Sequence, residues 1–137
     1  MKSILGDSMN IPNDLRYSDS HEWARLESDG SVSVGITWHA QDRLGDLVYV
    51  EPPPLGKSFE KGEACAVVES VKAAADIYAP VSGTIEAVNQ DLSGNPEKVN
   101  EDAYAAWMFR MRPKDNAQLQ SLLSAADYEK LIAAEEH

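Results

Sequence analysis

Residues 64–89, with the sequence ACAVVESVKAAADIYAPVSGTIEAVN, decide the fold of this chain. Three segments of this stretch are apolar, rich in β-branched residues or bounded by turn residues, which is typical of short strands: residues 64–68, 76–79 and 84–89. Residues 70–74 leave room only for a tight connection between the first two strands, and Lys72 lies at its centre. Because residues 73–75 are all alanine, the sequence predicts an uncrowded lysine amine at the tip of a rigid hairpin.

Strand patterns also occupy the sequence before this stretch. Residues 32–36 alternate between apolar and small or polar side chains, and the Asp29-Gly30 turn before them predicts a hairpin with residues 20–27. Residues 47–50 predict another short strand, which a run of three prolines ends.

The predicted helices are short. The Thr37 side chain can cap the N-terminus of a helix, and a glycine such as Gly45 commonly ends one. A helix is therefore predicted between them. Residues 91–96 predict a loop. The complete set of predicted helices comprises residues 38–44, residues 96–100 and two C-terminal helices that begin after the capping residues Asp115 and Ser124.

The last strand pattern completes the fold prediction. Residues 107–112 alternate between bulky apolar and other side chains, which predicts a strand that buries Trp107, Phe109 and Met111. Many short strands separated by turns are typical of small barrels and sandwiches. The sequence therefore predicts a mainly β fold, a small barrel or sandwich with short helices, two of them at the C-terminus. It predicts one domain over residues 11–137, preceded by a flexible extension over residues 1–10.

The charge balance excludes several classes of partner. The 137 residues include 12 lysines and arginines and 23 aspartates and glutamates, for a formal net charge of −11. Nucleic acids and anionic membranes bind basic patches, so neither is an expected partner. No apolar run approaches the roughly 20 residues that a membrane span needs. Residues 1–8 have the pattern of neither a signal nor a transit peptide, so a cytoplasmic location is expected.

Side chains suited to catalysis or metal binding are sparse. The sequence contains no nucleophile elbow, no dinucleotide-binding loop and no phosphate-binding loop. Cys65 is the only cysteine, so no internal disulfide or thiolate zinc site is possible, and its strand position predicts a small core residue. His21, His39 and His137 lack the spacing of metal ligands, and no metal site is predicted.

The sequence around Lys72 resembles the attachment pattern of lipoyl and biotinyl carriers. The pattern consists of residues 69–73 (ESVKA) followed by residues 79–83 (APVSG). Val71 directly before the lysine is typical of the H proteins of the glycine cleavage system, whereas lipoyl domains of acyltransferases have aspartate there and biotin carriers have flanking methionines. The resemblance to H proteins extends over residues 11–131 and includes Tyr17, SHEW (20–23), VGIT (34–37), HAQ (39–41), LGD (44–46), VN (88–89), NP (95–96), VN (99–100) and Trp107.

The resemblance implies a lipoyl-domain-like fold, which is a flattened β-barrel or barrel-sandwich hybrid. It also implies a carrier function without catalytic activity of its own. H proteins hold lipoate in amide linkage on the motif lysine, here Lys72. The lipoamide arm takes the aminomethyl group of glycine from a pyridoxal-phosphate glycine decarboxylase to a tetrahydrofolate-dependent aminomethyltransferase. A dihydrolipoamide dehydrogenase then receives the electrons. These three enzymes and the lipoate-attaching enzymes are the implied partners.

The resemblance also implies roles for three acidic residues. Glu69 is expected to be recognised by lipoate-attaching enzymes, and Glu22 and Asp76 are candidates to line a cleft for the loaded arm. The simpler interpretation of Glu22 and Asp76 is that both are solvated surface acids. Two alternative functions also remain: a lipoyl relay that does not serve glycine cleavage, and an unmodified interaction module on the same fold.

One segment departs from the family pattern. H proteins usually have a proline before the tyrosine matched by Tyr104 and a glycine just before the tryptophan matched by Trp107. This chain has Ala103 and Ala106 at those places, and the stretch between them is one residue shorter. The departure affects the expectation for the local turn but not for Lys72.

Overall fold

A computed structural model describes residues 10–135, which form two antiparallel sheets and several short helices. The strands are β1 (Arg16–Tyr17), β2 (Glu22–Leu26), β3 (Val32–Ile36), β4 (Leu47–Glu51), β5 (Ser58–Phe59), β6 (Ala64–Ser70), β7 (Ala74–Tyr78), β8 (Gly83–Val88) and β9 (Phe109–Pro113). The helices are α1 (Trp38–Leu44), α2 (Asp91–Gly94), α3 (Lys98–Glu101), α4 (Asn116–Gln120) and α5 (Ala125–Glu135).

The two sheets differ in size and share one core. The larger sheet has the order β1-β2-β3-β9-β8-β5, and the smaller has the order β4-β6-β7. Buried side chains of both sheets belong to the same cluster, for example Val34 and Phe109 of the larger sheet with Val68 and Ile77 of the smaller. Burial of apolar surface between two sheets is the main favourable term in such a fold. The predicted mainly β class, here two packed sheets with short helices, is confirmed.

Helix α1 forms where the capping residues predict it. The Thr37 hydroxyl accepts a hydrogen bond from the backbone N–H of Ala40 at 3.2 Å. Gly45 ends the helix at φ 85° and ψ −162°, a backbone conformation that is essentially restricted to glycine. The first helix therefore begins and ends at residues that were identifiable from the sequence, and its end fixes where β4 starts.

A second cluster attaches the C-terminal helix to the larger sheet. The ring of Tyr128 on α5 stacks on that of Tyr17 on β1, with ring centroids 4.7 Å apart. Both residues are fully buried. Trp23 on β2 is also fully buried, and its indole N–H donates to the carbonyl oxygen of Ala103 at 3.0 Å. These contacts hold α5 beside the start of β2, which matters for the functional site.

Three predictions about individual elements need correction. Asp91–Gly94, expected within a loop, is a helical turn, and the next helix is Lys98–Glu101 and not residues 96–100. Trp107 precedes β9 and is only partly buried, and the guanidinium of Arg110 lies over its ring, 4.2 Å from the ring centroid. Met108, 2% exposed, takes the buried position instead.

The predicted flexible extension over residues 1–10 lies outside the described residues, apart from Asn10. The Asn10 carbonyl oxygen accepts a hydrogen bond from the Tyr104 hydroxyl. Among residues 10–135, no helix is both long enough and apolar enough to cross a bilayer.

Candidate functional site

Lys72 lies at the tip of the hairpin that joins β6 and β7. Glu69 and Ala74 are the last paired residues, and the N–H of Ser70 donates to the carbonyl oxygen of Ala73 at 2.7 Å. The nearly buried Ser70 hydroxyl accepts from the N–H groups of Lys72 and Ala73 at 3.2 and 3.0 Å. A side chain that binds the polar groups of a turn favours one conformation of that turn. The exposed Lys72 side chain therefore projects from a fixed base.

The hairpin tip is also attached to the turn that follows α1. The N–H of Val71 donates to the carbonyl oxygen of Asp46 at 3.1 Å. The Asn100 side chain holds this turn, because its amide donates to the Gly45 carbonyl at 2.9 Å and its oxygen accepts from the N–H of Leu47 at 2.9 Å. Sequence reasoning included Asn100 only as part of the family pattern and assigned it no role.

The surface around the tip combines apolar and acidic groups. Glu69 is exposed and pairs across the sheet with Tyr49 on β4. Val71 beside the lysine, and Val48 and Tyr49 on β4, are 72%, 53% and 47% exposed. An apolar patch with an acidic group beside an exposed lysine can be recognised by a modifying enzyme.

A cleft of about 310 Å³ opens beside the hairpin. Asp76 on β7 lines it together with Ser20, and Leu44 at the end of α1 forms part of its wall. The next residue, Gly45, lies against the Lys72 side chain, since a Cβ added there would be 3.6 Å from Lys72 Cε. The end of the Lys72 stem thus lies beside the residue that follows Leu44 of the cleft wall, and Asp76 is an exposed residue of that wall.

Glu22 occupies a different environment from Asp76. It is 1% exposed, so the interpretation as a solvated surface acid is wrong for this residue. Its carboxylate accepts hydrogen bonds from the hydroxyl groups of Ser18 and Ser20 and, at 3.0 Å, from the N–H of Tyr78. Burial raises the pKa of the Glu22 carboxyl, and these hydrogen bonds oppose the shift. Among the described residues the cleft wall includes Ser20 and not Glu22, so Glu22 contacts the cleft through Ser20.

A group of titratable side chains lies at another wall of the same cleft. His21 Nε2 is 3.2 Å and His39 Nε2 is 3.8 Å from Oε1 of Glu135, the last residue of α5. His21 Nδ1 is 2.7 Å from the Tyr128 hydroxyl. Sequence spacing gave no sign of this arrangement, because 96 residues separate His39 from Glu135. The C-terminal helix has to fold back on β1 to bring them together.

Cys65 is a core residue, as its position in the strand predicts. The residue is 8% exposed. Burial, together with the negative charges of Glu22 and Glu63, raises the pKa of its thiol to about 12. A thiol that stays protonated is a poor nucleophile, so redox chemistry at this protein requires a group from outside the chain.

Comparison with known proteins gives a consistent result along the chain. The family model described as glycine cleavage H-protein matches residues 15–135. This chain belongs to the glycine cleavage H-protein family. It is 57% identical to the glycine cleavage system H protein of Nitrosospira multiformis, over 94% of this chain and all of that protein. It is also 57% identical to glycine cleavage system H protein 2 of Pseudomonas putida, over 90% of this chain and 97% of that protein.

The fold agrees with that of a solved member of the H-protein family. The crystal structure of a glycine cleavage system H protein from Mycobacterium marinum matches with a TM-score of 0.83 and 37% identity. The match covers 90% of this chain and 99% of that one.

The segment that departs from the usual H-protein pattern is well packed. Ala103 and Ala106 are 3% and 6% exposed. The Ala103 carbonyl accepts from Trp23, and the N–H of Ala106 donates to the carbonyl of Asp102 at 3.1 Å. The alanines and the shortened turn therefore fit the family fold without disturbing the core.

Proposed function

We propose that this chain is the lipoyl carrier of a glycine cleavage system, with residues 11–137 as one carrier domain and Lys72 as the attachment site. The observation that carries the proposal is the position of Lys72 in a chain of the H-protein family: exposed, on a fixed hairpin, at the edge of a cleft. The resemblance of the sequence around Lys72 to lipoyl attachment sites supports the same assignment.

The residues around Lys72 fit a lipoyl group. Amide formation joins Nζ of Lys72 to an activated lipoyl carboxyl group and removes the positive charge of the lysine. When bound, the dithiolane supplies the reversible disulfide that accepts an aminomethyl group and two electrons, a chemistry that the buried Cys65 cannot provide. The hairpin gives such an arm a fixed base, and the cleft gives it a place to lie.

Each neighbouring acidic residue has a proposed role. Glu69 is exposed beside Val71 and marks the hairpin for lipoate-attaching enzymes. Asp76 presents its carboxylate in the cleft, where it pairs with an amino group on the arm and holds it away from bulk water. Glu22 positions the Ser20 hydroxyl at the cleft wall through their 2.6 Å hydrogen bond.

The proposed partners are the three enzymes with which a carrier of this family exchanges groups. A glycine decarboxylase loads the arm, an aminomethyltransferase unloads it, and a dihydrolipoamide dehydrogenase reoxidises it. Because the chain supplies only the arm and its surroundings, we propose that it has no catalytic activity of its own. The single buried thiol suits a reducing compartment, so we expect carrier and partners together in the cytoplasm.

The attachment site is tested by the intact mass of the full chain from cells that make lipoate. We expect the mass of one lipoyl group on the wild type and on Lys61→Arg, a control at another exposed lysine, and none on Lys72→Arg. A biotinyl mass, or a lipoyl group on Lys72→Arg, would contradict the assignment. An unmodified wild type would favour an interaction module.

The cellular role is tested in a coupled assay. The lipoylated protein is mixed with glycine decarboxylase, aminomethyltransferase and dihydrolipoamide dehydrogenase, and NADH formation from glycine is followed. We expect turnover with the wild type and none with Lys72→Arg. A fully lipoylated wild type that gives no turnover would show that the chain is a lipoyl relay.

A further inference from the structure

Three side chains from distant parts of the chain converge beside the cleft. His21 lies between β1 and β2, His39 lies on α1, and Glu135 is the last residue of α5. Each offers one ligand atom, and these atoms all lie within 4.8 Å of one another. We propose that His21, His39 and Glu135 bind one divalent transition-metal ion, with Zn²⁺ as the best fit.

Two of the three separations between ligand atoms are close to those of a zinc site, and the third, between the two histidines, lies within 4.8 Å. Zinc bonds of about 2.0 to 2.1 Å in tetrahedral geometry place neighbouring ligand atoms about 3.3 Å apart. His21 Nε2 and Glu135 Oε1 are 3.2 Å apart. His39 Nε2 is 3.8 Å from the same oxygen, and the Glu135 side chain is 35% exposed. Two imidazoles and one carboxylate form a ligand set that zinc uses where one coordination position stays open.

The surroundings of His21 orient the imidazole for this role. Its Nδ1 lies 2.7 Å from the Tyr128 hydroxyl, which in turn lies 2.7 Å from the Thr37 hydroxyl. An Nδ1–H that donates to Tyr128 leaves the Nε2 lone pair directed at Glu135. Hydrogen bonds of this kind fix the tautomer and orientation of metal-binding histidines.

The backbone at His21 adds a second sign of a constrained position. Its φ is 75°, the one positive value at a non-glycine residue among those the structure describes. The conformation is held by the hydrogen bond from the N–H of Thr37 to the His21 carbonyl at 3.1 Å. Unfavourable backbone conformations persist where the surrounding structure enforces them, and they cluster at functional sites.

The site is accessible, and it joins separate elements. His21, His39 and Glu135 line the cleft of about 310 Å³, and this volume leaves space for an ion and for a water molecule that completes its coordination. A bound ion would connect the end of α5 to α1 and to the start of β2. The inference goes beyond the proposed carrier function, since none of its three ligands is the attachment lysine or the cleft acid Asp76.

Zinc binding is tested with the full chain carrying Lys72→Arg, which has no lipoyl thiols. Zn²⁺ is titrated at pH 7.5 against a chromogenic chelator, and the metal-to-protein ratio is measured. We expect one ion per chain, with affinity reduced at least about tenfold in His39→Gln and Glu135→Gln. His21→Asn is the third variant, because asparagine tolerates the left-handed backbone better than most residues.

Matched controls separate this site from adventitious binding. Glu129→Gln removes another exposed glutamate of α5, and His137→Gln removes the histidine that lies outside the described residues. Both are expected to bind Zn²⁺ as tightly as the Lys72→Arg protein. Far-ultraviolet circular dichroism without metal checks that every variant is folded.

Thermal unfolding provides a second readout. Saturating Zn²⁺ is expected to raise the melting temperature of the Lys72→Arg protein and of both controls, because the ion binds the folded state only. A smaller rise is expected for His39→Gln at the same Zn²⁺ concentration. The proposal is overturned if the folded protein binds no Zn²⁺, or if the ligand variants bind it as tightly as the controls. Neither result bears on lipoylation of Lys72, which is measured by mass.

Discussion

The backbone N–H of Val71 donates to the carbonyl oxygen of Asp46 at 3.1 Å, and this bond ties the lysine hairpin to the turn after α1. The two residues belong to different parts of the chain, and the turn is itself held by Asn100. The base of the Lys72 arm is thus positioned both by its own hairpin and by a neighbouring loop. Two predictions test this support, and two further predictions concern the cleft and the core thiol.

Replacement of Asn100 should loosen the turn. Asn100→Ala removes three hydrogen bonds of the side chain. Its amide N–H groups no longer donate to the Gly45 carbonyl and to Gln41 Oε1, each at 2.9 Å, and its oxygen no longer accepts from the Leu47 N–H. We expect the free energy of unfolding, measured in urea, to fall by about 1 to 3 kcal/mol, because partly buried backbone groups lose their hydrogen-bond partners. Hydrogen exchange at the Val71 amide should also become faster.

Asn95→Ala is the matched control for Asn100. Asn95 is exposed, and its side chain makes one long bond of 3.3 Å to the Asp91 carbonyl. We expect a change within about 0.5 kcal/mol. Equal destabilisation by the two substitutions would show that Asn100 has no special role in the turn.

Gly45→Ala should destabilise the same turn through backbone strain. Gly45 has φ 85° and ψ −162°, and a residue with a Cβ in this region costs about 1 to 3 kcal/mol. The added Cβ itself would be 3.6 Å from Lys72 Cε, an ordinary contact, so steric overlap is not the cause. Urea unfolding measures the loss.

The control for backbone strain is Gly94→Ala. Gly94 lies in α2 without a positive φ, and an added Cβ meets nothing within 4 Å. There alanine should leave stability unchanged or raise it by up to about 1 kcal/mol. If Gly45→Ala and Gly94→Ala had the same free energy of unfolding, the turn would not need a residue that adopts the glycine conformation.

The proposed role of Asp76 predicts a defect in turnover without a defect in attachment. In Asp76→Asn we expect the rate of the coupled glycine cleavage assay to fall about tenfold, the size of one lost charge-assisted hydrogen bond. The extent of lipoylation, measured by intact mass, should not change. Asp127→Asn, at an exposed aspartate of α5, should keep the wild-type rate. Wild-type turnover in Asp76→Asn would exclude the carboxylate from the cleft function.

Cys65 should be unreactive in the folded protein. Because burial and nearby negative charges raise the pKa of its thiol to about 12, almost no thiolate exists at pH 8. We expect a disulfide-exchange reagent to label Cys65 slowly in buffer and completely in 6 M guanidinium, roughly the concentration that unfolds most proteins. The Lys72→Arg background removes lipoyl thiols from the measurement. Rapid labelling in buffer would contradict the burial of the strand.

Local sequence was sufficient where neighbouring residues set the conformation. Thr37 and Gly45 define the ends of α1 through their own side chain and backbone, so the helix was predictable to the residue. The hairpin at Lys72 was predictable because short strands flank a turn of small residues. Prediction was wrong at Asp91–Gly94, which forms a helical turn with Leu92 buried, and at Trp107, which is covered by Arg110 and only partly buried.

The sequence by itself determined the family, the mainly β class and the place of Lys72 on its hairpin, because ordered motifs and alternating apolar residues are local properties of the chain. Only the tertiary structure decided which distant groups meet. It buried Glu22 but left Asp76 in the cleft, held the turn with Asn100, and brought Glu135 to His21 and His39. Such contacts depend on how α5 and the two sheets pack around a shared core, which sequence spacing does not encode.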